Sequence, residues 1–558
     1  MTGTLIELLE DRARVFPGQR LRFVEEGREL SSAELLAEAR GTAGGLAGAG
    51  VRRGDLVAFV MPNGSGFLRV VFGSQYLGAV PVPLAMPFGG IDEYLDHLGG
   101  VVADGGIRHL VVDLPARIRA RLVAALPGVS VIDLQDLGAG GQYVPPEGPR
   151  DGEDIAFIQY TSGSTSAPKG VVLTHANIVA GLNAITAPAA VGPADRWGLW
   201  LPLFHDMGIF SLLAAMSVGA DVVLWQPRTF VRKPLDWIAE FAEAGCTLCS
   251  APNFFFDTLV AAKRAGQGEP SAPESGPSVA GSGPDAQAAP DLSRWRLTFN
   301  GAEPVNATTV DEFCAEFAPN GFRRTAMYPV YGMAEATLAV TFPPLGREPV
   351  VLRVDRRELV EHGRAVAADP SAAVDTTRDL VGVGQPVPGV RVRVAGDQGP
   401  APEAVIGEIE ISGPPVTAGY YRRVVGDERT ADGWLRTGDL GFFAEGELYV
   451  VGRVKDMVIV GGVNYHAEDI EAVVRDHPGV YRKRCVAVLD TDETMAIVAE
   501  TSLEEEAERA ALAADIRMDV RARTGLPTVR VHLVSPRYLP QTSSGKFQRR
   551  KVRSTLPS

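Results

Sequence analysis

The stretch from Thr161 through Ser162, Gly163, Ser164, Thr165, Ser166, Ala167, Pro168 and Lys169 to Gly170 carries hydroxyls, two glycines and one lysine, with almost no bulk. A segment of that composition can turn its backbone N–H groups and hydroxyls inward around a polyanion, with Lys169 adding a point charge. The plainer alternative is a solvated Ser/Gly hairpin loop. It is not a Walker loop, because Pro168 stands where glycine should precede the lysine and Gly170 where Ser or Thr should follow. Further on, Thr437-Gly438-Asp439-Leu440 sets an acid after a tight turn. Such an acid can accept both hydroxyls of a ribose, although Asp is also an ordinary turn former. His205, after Pro202-Leu203-Phe204, reads alone as a structural histidine. Cys246 and Cys249 have the spacing of a zinc or redox pair. With no histidine near them and Cys314 and Cys485 distant, a buried strand is the better reading, and no function is assigned.

The elements that must carry these residues alternate. Leu35 to Leu46 reads as an apolar-faced helix, and Leu56-Val57-Ala58-Phe59-Val60 and Leu110-Val111-Val112 as buried strands. Ile155-Ala156-Phe157-Ile158 and Val171-Val172-Leu173 flank the hydroxyl-rich stretch as two more strands. That alternation predicts parallel sheets covered by helices. The chain has 558 residues, more than one core normally holds, so two or more domains are expected. Apolar residues make up 46% and charged residues 22%, which excludes wholesale disorder, and the net charge of −14 argues against nucleic acid as a partner. Thr4 and Glu7 have capping-box spacing, with acids where a secretion signal would be basic. Ile209 to Ala220 is too short to span a membrane. The expected location is cytoplasmic. Residues 266–290 are Gly, Pro, Ser, Ala and Gln with few aliphatics, which predicts a disordered loop.

In order along the chain, several segments resemble the motifs of the adenylate-forming (ANL) superfamily, which includes acyl-CoA synthetases, peptide-synthetase adenylation domains and luciferases. They are the Thr161–Lys169 loop, Leu203-Phe204-His205-Asp206-Met207-Gly208, Asn300-Gly301-Ala302-Glu303-Pro304 and Tyr331-Gly332-Met333-Ala334-Glu335-Ala336-Thr337. Thr437-Gly438-Asp439-Leu440, Gly452-Arg453-Val454-Lys455-Asp456 and Thr542-Ser543-Ser544-Gly545-Lys546 complete the set. The wording His205-Asp206-Met207-Gly208 and an insertion at about 345–385 resemble the fatty acyl-AMP ligase branch.

That resemblance implies an α/β fold with a large AMP-binding N-terminal domain (1–454) of parallel and mixed sheets covered by helices. A small mobile α+β C-terminal lid domain (455–558) would carry the catalytic lysine. It implies ATP and Mg2+ as cofactors. Thr161, Ser162, Gly163, Ser164, Thr165 and Lys169 would cradle the phosphates. Gly301, Ala302 and Glu303 would line one wall of the adenine slot, and Tyr331, Gly332 and Met333 the other, with Tyr331 stacked on the base. Asp439 would hold the ribose, Arg453 ribose or phosphate, and Glu335 the magnesium. His205 would sit at the mouth of the acyl tunnel beside the substrate carboxylate, Lys455 at the hinge, and Lys546 at the reacting atoms. Many relatives have Thr at the position of Ala334, whose hydroxyl touches the α-phosphate; that contact is missing here or comes from Thr337.

The implied reaction joins a carboxylic acid, a fatty acid by resemblance, to AMP with release of pyrophosphate. The acyl group would pass to a separate acyl carrier protein or polyketide/peptide synthase, since no carrier-type serine motif follows. Gly461-Gly462-Val463-Asn464 instead resembles the turn that lets CoA pass in acyl-CoA ligases, which keeps CoA open as the acceptor. A non-catalytic nucleotide-binding homologue is disfavoured because Lys169, Glu335, Asp439 and Lys546 are all present.

Overall fold

Leu56–Val60 is buried at every position, between the parallel strands Val80–Pro83 and His109–Val112, with Ser130–Asp133 beyond. A strand covered on both faces needs a continuous apolar run rather than alternation, and this stretch has one. The computed structural model describes residues 3–87, 90–138, 151–161, 168–268, 289–396, 399–424, 426–460, 463–475, 477–490, 494–526, 528–541 and 547–556. Among them a second, seven-stranded sheet runs Met327–Pro329, Leu297–Asn300, Leu248–Ala251, Arg196–Leu199, Asp221–Leu224, Leu21–Phe23 and Arg28–Leu30. Every neighbouring pair is parallel except the outermost two strands. No described helix is long and apolar enough to cross a membrane.

The core of this part is aromatic. Trp200 stacks on Phe255 at 5.4 Å and lies 4.4 Å from Phe230, which stacks on Phe255 at 4.5 Å; Trp237 meets all three edge-on. Each such ring removes roughly 150–250 Å² from water, a gross gain of about 4–6 kcal/mol before ordering entropy. Phe255 and Phe256 are fully buried, which places most of the Phe254-Phe255-Phe256 run in the core; Phe254 is half-buried. Ile209, Phe210, Leu212 and Leu213 are also core, on the helix Asp206–Val218. Cys249 lies in Leu248–Ala251 and Cys246 just before it. Both thiols are buried and reduced, and burial pushes Cys246 up to about 12, so neither titrates near neutrality.

Thr4 caps Leu5–Val15 reciprocally with Glu7, as its spacing predicts. Of the expected loop at 266–290, residues 269–288 lie outside the described residues. Its first three residues instead end the helix Asn253–Gly268. Lys263 donates to the Glu316 carbonyl at 2.5 Å and Arg264 pairs with the Glu316 carboxylate at 3.3 Å, which holds the last turns against the neighbouring helix. Within residues 345–385, Val351–Asp355 pairs with Thr377–Val381 as an antiparallel ribbon, bridged by the helix Arg356–His362.

Residues 457–556 form a β-hairpin, Met457–Val460 with Val463–His466, and a three-stranded sheet of Cys485–Leu489, Met495–Glu500 and Val529–Val534. The helices Ala467–Val474 and Glu506–Thr524 present Ile470, Val473, Val474, Leu512, Ile516 and Val520 to one core, as their spacing predicts. Among the described residues, no hydrophobic cluster contains side chains from both sides of residue 454. The contacts across it include Arg475 and Lys483 on Asp257, Lys483 on Glu312 at 2.9 Å, and Arg378 on Asp469 at 2.7 Å.

Candidate functional site

The parallel strands ending at Leu199, Asn300 and Pro329 lead directly into the segments holding His205, Gly301 to Glu303, and Tyr331 to Glu335. Ligands of open α/β sheets bind outside the carboxyl ends of their strands, so three of the segments singled out by sequence leave the sheet at the expected edge. Two of them touch. A methyl group on Gly301 would sit 2.8 Å from the Val330 side chain, and one on Gly332 would meet the Leu338 carbonyl at 1.9 Å, so both positions require glycine. Ala302 is exposed and held at φ +66°, a left-handed conformation costly for a residue with a Cβ.

Tyr331, Asp439 and Arg453 form a chain. The Tyr331 hydroxyl donates to Asp439 Oδ2 at 2.7 Å and Arg453 Nε donates to Oδ1 at 2.8 Å. Asp439 lies opposite Arg453 in the pairing of Leu435–Ala444 with Glu447–Arg453, and it is 5% exposed. Burial, and then the Asp439 charge, hold the Tyr331 hydroxyl protonated far above its usual range. The same carboxylate raises Arg453. Each Asp439 oxygen keeps a further lone pair with which to accept a hydroxyl.

Glu335 stands in the turn Ala334–Ala336. Its carboxylate accepts from the Tyr420 hydroxyl at 2.9 Å, and its carbonyl accepts from Thr417 N at 2.7 Å. Burial raises its pKa; the Tyr420 hydrogen bond opposes that, Asp206 adds to it and Arg453 subtracts. Asp206 and Arg453 thus share the electrostatic neighbourhood of Glu335, although they come from distant segments. No group of three or more His, Cys, Asp or Glu suited to a metal exists among the described residues. One half-buried carboxylate, whose pKa a second acid, Asp206, helps to raise, suits Mg2+, which keeps waters and takes its other ligands from substrate phosphates. Thr337 does not replace the hydroxyl that Ala334 lacks. It is fully buried, and its Oγ1 lies 3.0 Å from the Pro415 carbonyl and 3.3 Å from that of Asn177.

The hydroxyl-rich stretch joins two antiparallel strands, Ile155–Thr161 and Lys169–Thr174. Residues 162–167 lie outside the described residues, as do Gly461, Gly462 and 542–546, which include Lys546; the backbone of Thr161 is described. The neck of the 162–167 segment is clasped by Asp104, which accepts from Tyr160 Oη at 2.9 Å and from Arg423 Nη2 at 3.0 Å. Arg423 also donates to the Pro168 carbonyl at 2.8 Å. The neck of 542–546 is closed by a bridge between Gln541 and Phe547, with Arg484 bonded to Gln541 Oε1 at 3.1 Å and 5.2 Å above the Phe547 ring.

The other expected residues fall as follows. His205 caps the helix Asp206–Val218 with its half-buried ring tilted on Phe204 at 4.5 Å. The Glu303 carboxylate accepts from Phe254 N at 2.5 Å, and so stands over a helix start. Met333 is half-buried and donates its N–H to the Leu338 carbonyl at 2.8 Å. Lys455 is exposed, in the turn that follows Arg453. Sequence reading missed Tyr420, Arg423 and Asp104. Gly419-Tyr420-Tyr421 has no periodicity to mark it, and only its pairing with the strand Lys169–Thr174 reveals it.

Residues 9–421 match the family model for AMP-binding enzymes. The chain is 32% identical to the long-chain-fatty-acid–AMP ligase FadD32 of Mycolicibacterium smegmatis, over 94% of this chain and 89% of that protein. It is 30% identical to the medium-chain-fatty-acid–[acyl-carrier-protein] ligase JamA of Moorena producens, over 99% and 94%. A solved structure from a study of fatty acyl-adenylate ligases from E. coli and L. pneumophila superposes with a TM-score of 0.88 at 30% identity, covering 99% of this chain and 97% of that one.

Proposed function

Since the chain belongs to the AMP-binding enzyme family of adenylate-forming ligases, we propose that it activates a fatty acid with ATP to acyl-AMP and pyrophosphate, for transfer to a separate acyl carrier protein. The observation that carries this reading is that one segment, leaving the carboxyl edge of the parallel sheet, joins a Tyr331–Asp439–Arg453 unit suited to accept hydroxyls to a Lys169–Tyr420–Glu335 unit suited to phosphate and metal.

In the reaction the acid's carboxylate attacks the α-phosphorus and pyrophosphate leaves. The carboxylate is ionised at neutral pH, so no general base is needed. Two anions must approach each other, so the work is charge neutralisation and alignment. Asp439 accepts the ribose hydroxyls and Arg453 holds that acid in place. Tyr331 stacks on the adenine, with Gly301, Ala302 and Glu303 across from it and Gly332 and Met333 beside it. Thr161, Ser162, Gly163, Ser164, Thr165 and Lys169 hold the β- and γ-phosphates. Glu335 would hold Mg2+, which when bound offsets phosphate charge. His205 orients the carboxylate at the entrance to the acyl site. Lys546 reaches the reacting oxygens when residues 455–558 rotate about Lys455 as a lid.

The decisive experiment is pyrophosphate exchange with acids of graded length, followed by product analysis with CoA and with a carrier protein. Exchange with long acids, retained acyl-AMP in the presence of CoA, and acyl transfer to the carrier are expected. Acyl-CoA formation overturns the acceptor assignment, and absence of exchange with every acid overturns the activity.

A further inference from the structure

Residues 417–421 lie along the free side of the strand that begins with Lys169. Val172 N donates to the Gly419 carbonyl at 3.1 Å, Tyr421 N to the Gly170 carbonyl at 2.8 Å, and the Thr417 hydroxyl to the Val172 carbonyl. From the same strap, Thr417 N holds the Glu335 carbonyl at 2.7 Å. Tyr420, in its middle, faces both functional groups at once. Its hydroxyl donates to Glu335 Oε1 at 2.9 Å, and the Lys169 ammonium lies 5.1 Å from its ring centroid. One rigid side chain with two rotatable bonds therefore fixes the separation of a lysine and a carboxylate that lie on different elements. A ring face attracts an ammonium without neutralising it, so Lys169 stays available to an incoming anion. A phenol donating to one carboxylate oxygen leaves the other to a cation.

We propose that Tyr420 is a positioning residue of this site, its ring registering Lys169 for the outer phosphates and its hydroxyl registering Glu335 for the metal of the same nucleotide. The proposal rests on the roles given above to Lys169 and Glu335. Two substitutions separate its halves. Tyr420→Phe keeps the ring and removes the hydroxyl, so the Mg2+ concentration giving half-maximal pyrophosphate exchange rises about tenfold, while calorimetric binding of ATP in EDTA is unchanged. Tyr420→Leu removes both, so ATP binding in EDTA also weakens about fivefold. AMP, which lacks the outer phosphates, binds wild type and both variants alike, and this is the readout that a general loss of structure would move. Glu335→Gln serves as the control. If Glu335→Gln shifts the Mg2+ requirement and Tyr420→Phe does not, this proposal fails alone. If neither shifts it, the metal assignment of Glu335 fails and takes the proposal with it. Loss of AMP binding in Tyr420→Phe, or equal ATP binding by both variants in EDTA, also overturns it.

Discussion

Around the aromatic core, Trp200, Phe230, Trp237 and Phe255 interlock at 4.4–6.4 Å with almost no exposure, whereas the contacts described between residues 457–556 and the rest of the chain include a series of ion pairs. Lys551 on Glu93 at 2.5 Å is another of these, with Glu93 largely exposed and Lys551 half-buried. The two kinds of contact respond differently to force. An interlocked apolar core has one low-energy arrangement, and opening it exposes rings to water. Partly buried ion pairs return their charges to water when they part, so a surface held by them can separate without exposing rings to solvent. A segment that must leave one position and take up another is better fastened in the second way. This supports assigning residues 455–558 as the lid.

The strongest test of that contrast is Lys546→Ala, which removes the one reacting group the C-terminal segment is proposed to supply. Pyrophosphate exchange should fall by about three orders of magnitude with ATP binding retained. Unchanged exchange removes Lys546 from the chemistry. Asp439→Ala strikes the other side. It strands the buried Tyr331 hydroxyl, an unsatisfied group that costs about 1–3 kcal/mol, while the half-exposed Arg453 turns to water. The KM for ATP should rise about a hundredfold and the thermal midpoint should drop, both readable in one preparation. Asp257→Asn loosens the cluster of Arg475 and Lys483. Adenylation should fall by less than about tenfold, since Asp257 pairs with Arg475 and Lys483 and not with the groups placed at the nucleotide. Hydrogen exchange across 463–556 should quicken, and wild type in high salt should do the same; a response spread equally over the aromatic core refutes the contrast.

The smallest effect concerns pH. Arg549 is shared by Glu468 at 3.2 Å, Glu471 at 2.8 Å and Asp456 at 3.3 Å. Burial lifts Glu468 to about 7 and raises Glu471 as well. A carboxyl group whose folded pKa lies above its unfolded value binds more protons when folded, so its contribution is complete below the unfolded value near 4.5 and is lost as pH rises through about 7. Protection of the helix Ala467–Val474 should therefore decline between pH 5 and 8, the window set by that shift, and Glu468→Gln should flatten the decline.

Much of this was legible in the chain because it depends on short-range patterns. The buried run Leu56–Val60, the cap at Thr4 and each single site segment fit within a dozen residues. What could not be read depends on distant partners. Arg423 meets Asp104 across 319 positions and Tyr420 meets Glu335 across 85, and neither residue stands in a periodic setting. Thr337 looked like a spare hydroxyl beside Ala334 until the carbonyls of Asn177 and Pro415 were found around it. The helix through Gly268 outran its glycines because Lys263 and Arg264 are anchored on Glu316, and a tertiary anchor outweighs a local breaker worth about 1 kcal/mol.

The strand order also bears on how the protein is made. Leu21–Phe23 pairs with Asp221–Leu224, and Arg20 bonds Asp221 across 201 positions. At about 5–20 residues per second, the N-terminal edge of the sheet must wait on the order of ten seconds or more on the ribosome before its neighbour emerges. Until then the strand has only its hairpin partner Arg28–Leu30 and its other edge is unpaired, so early nascent chains are where this polypeptide should depend most on chaperones.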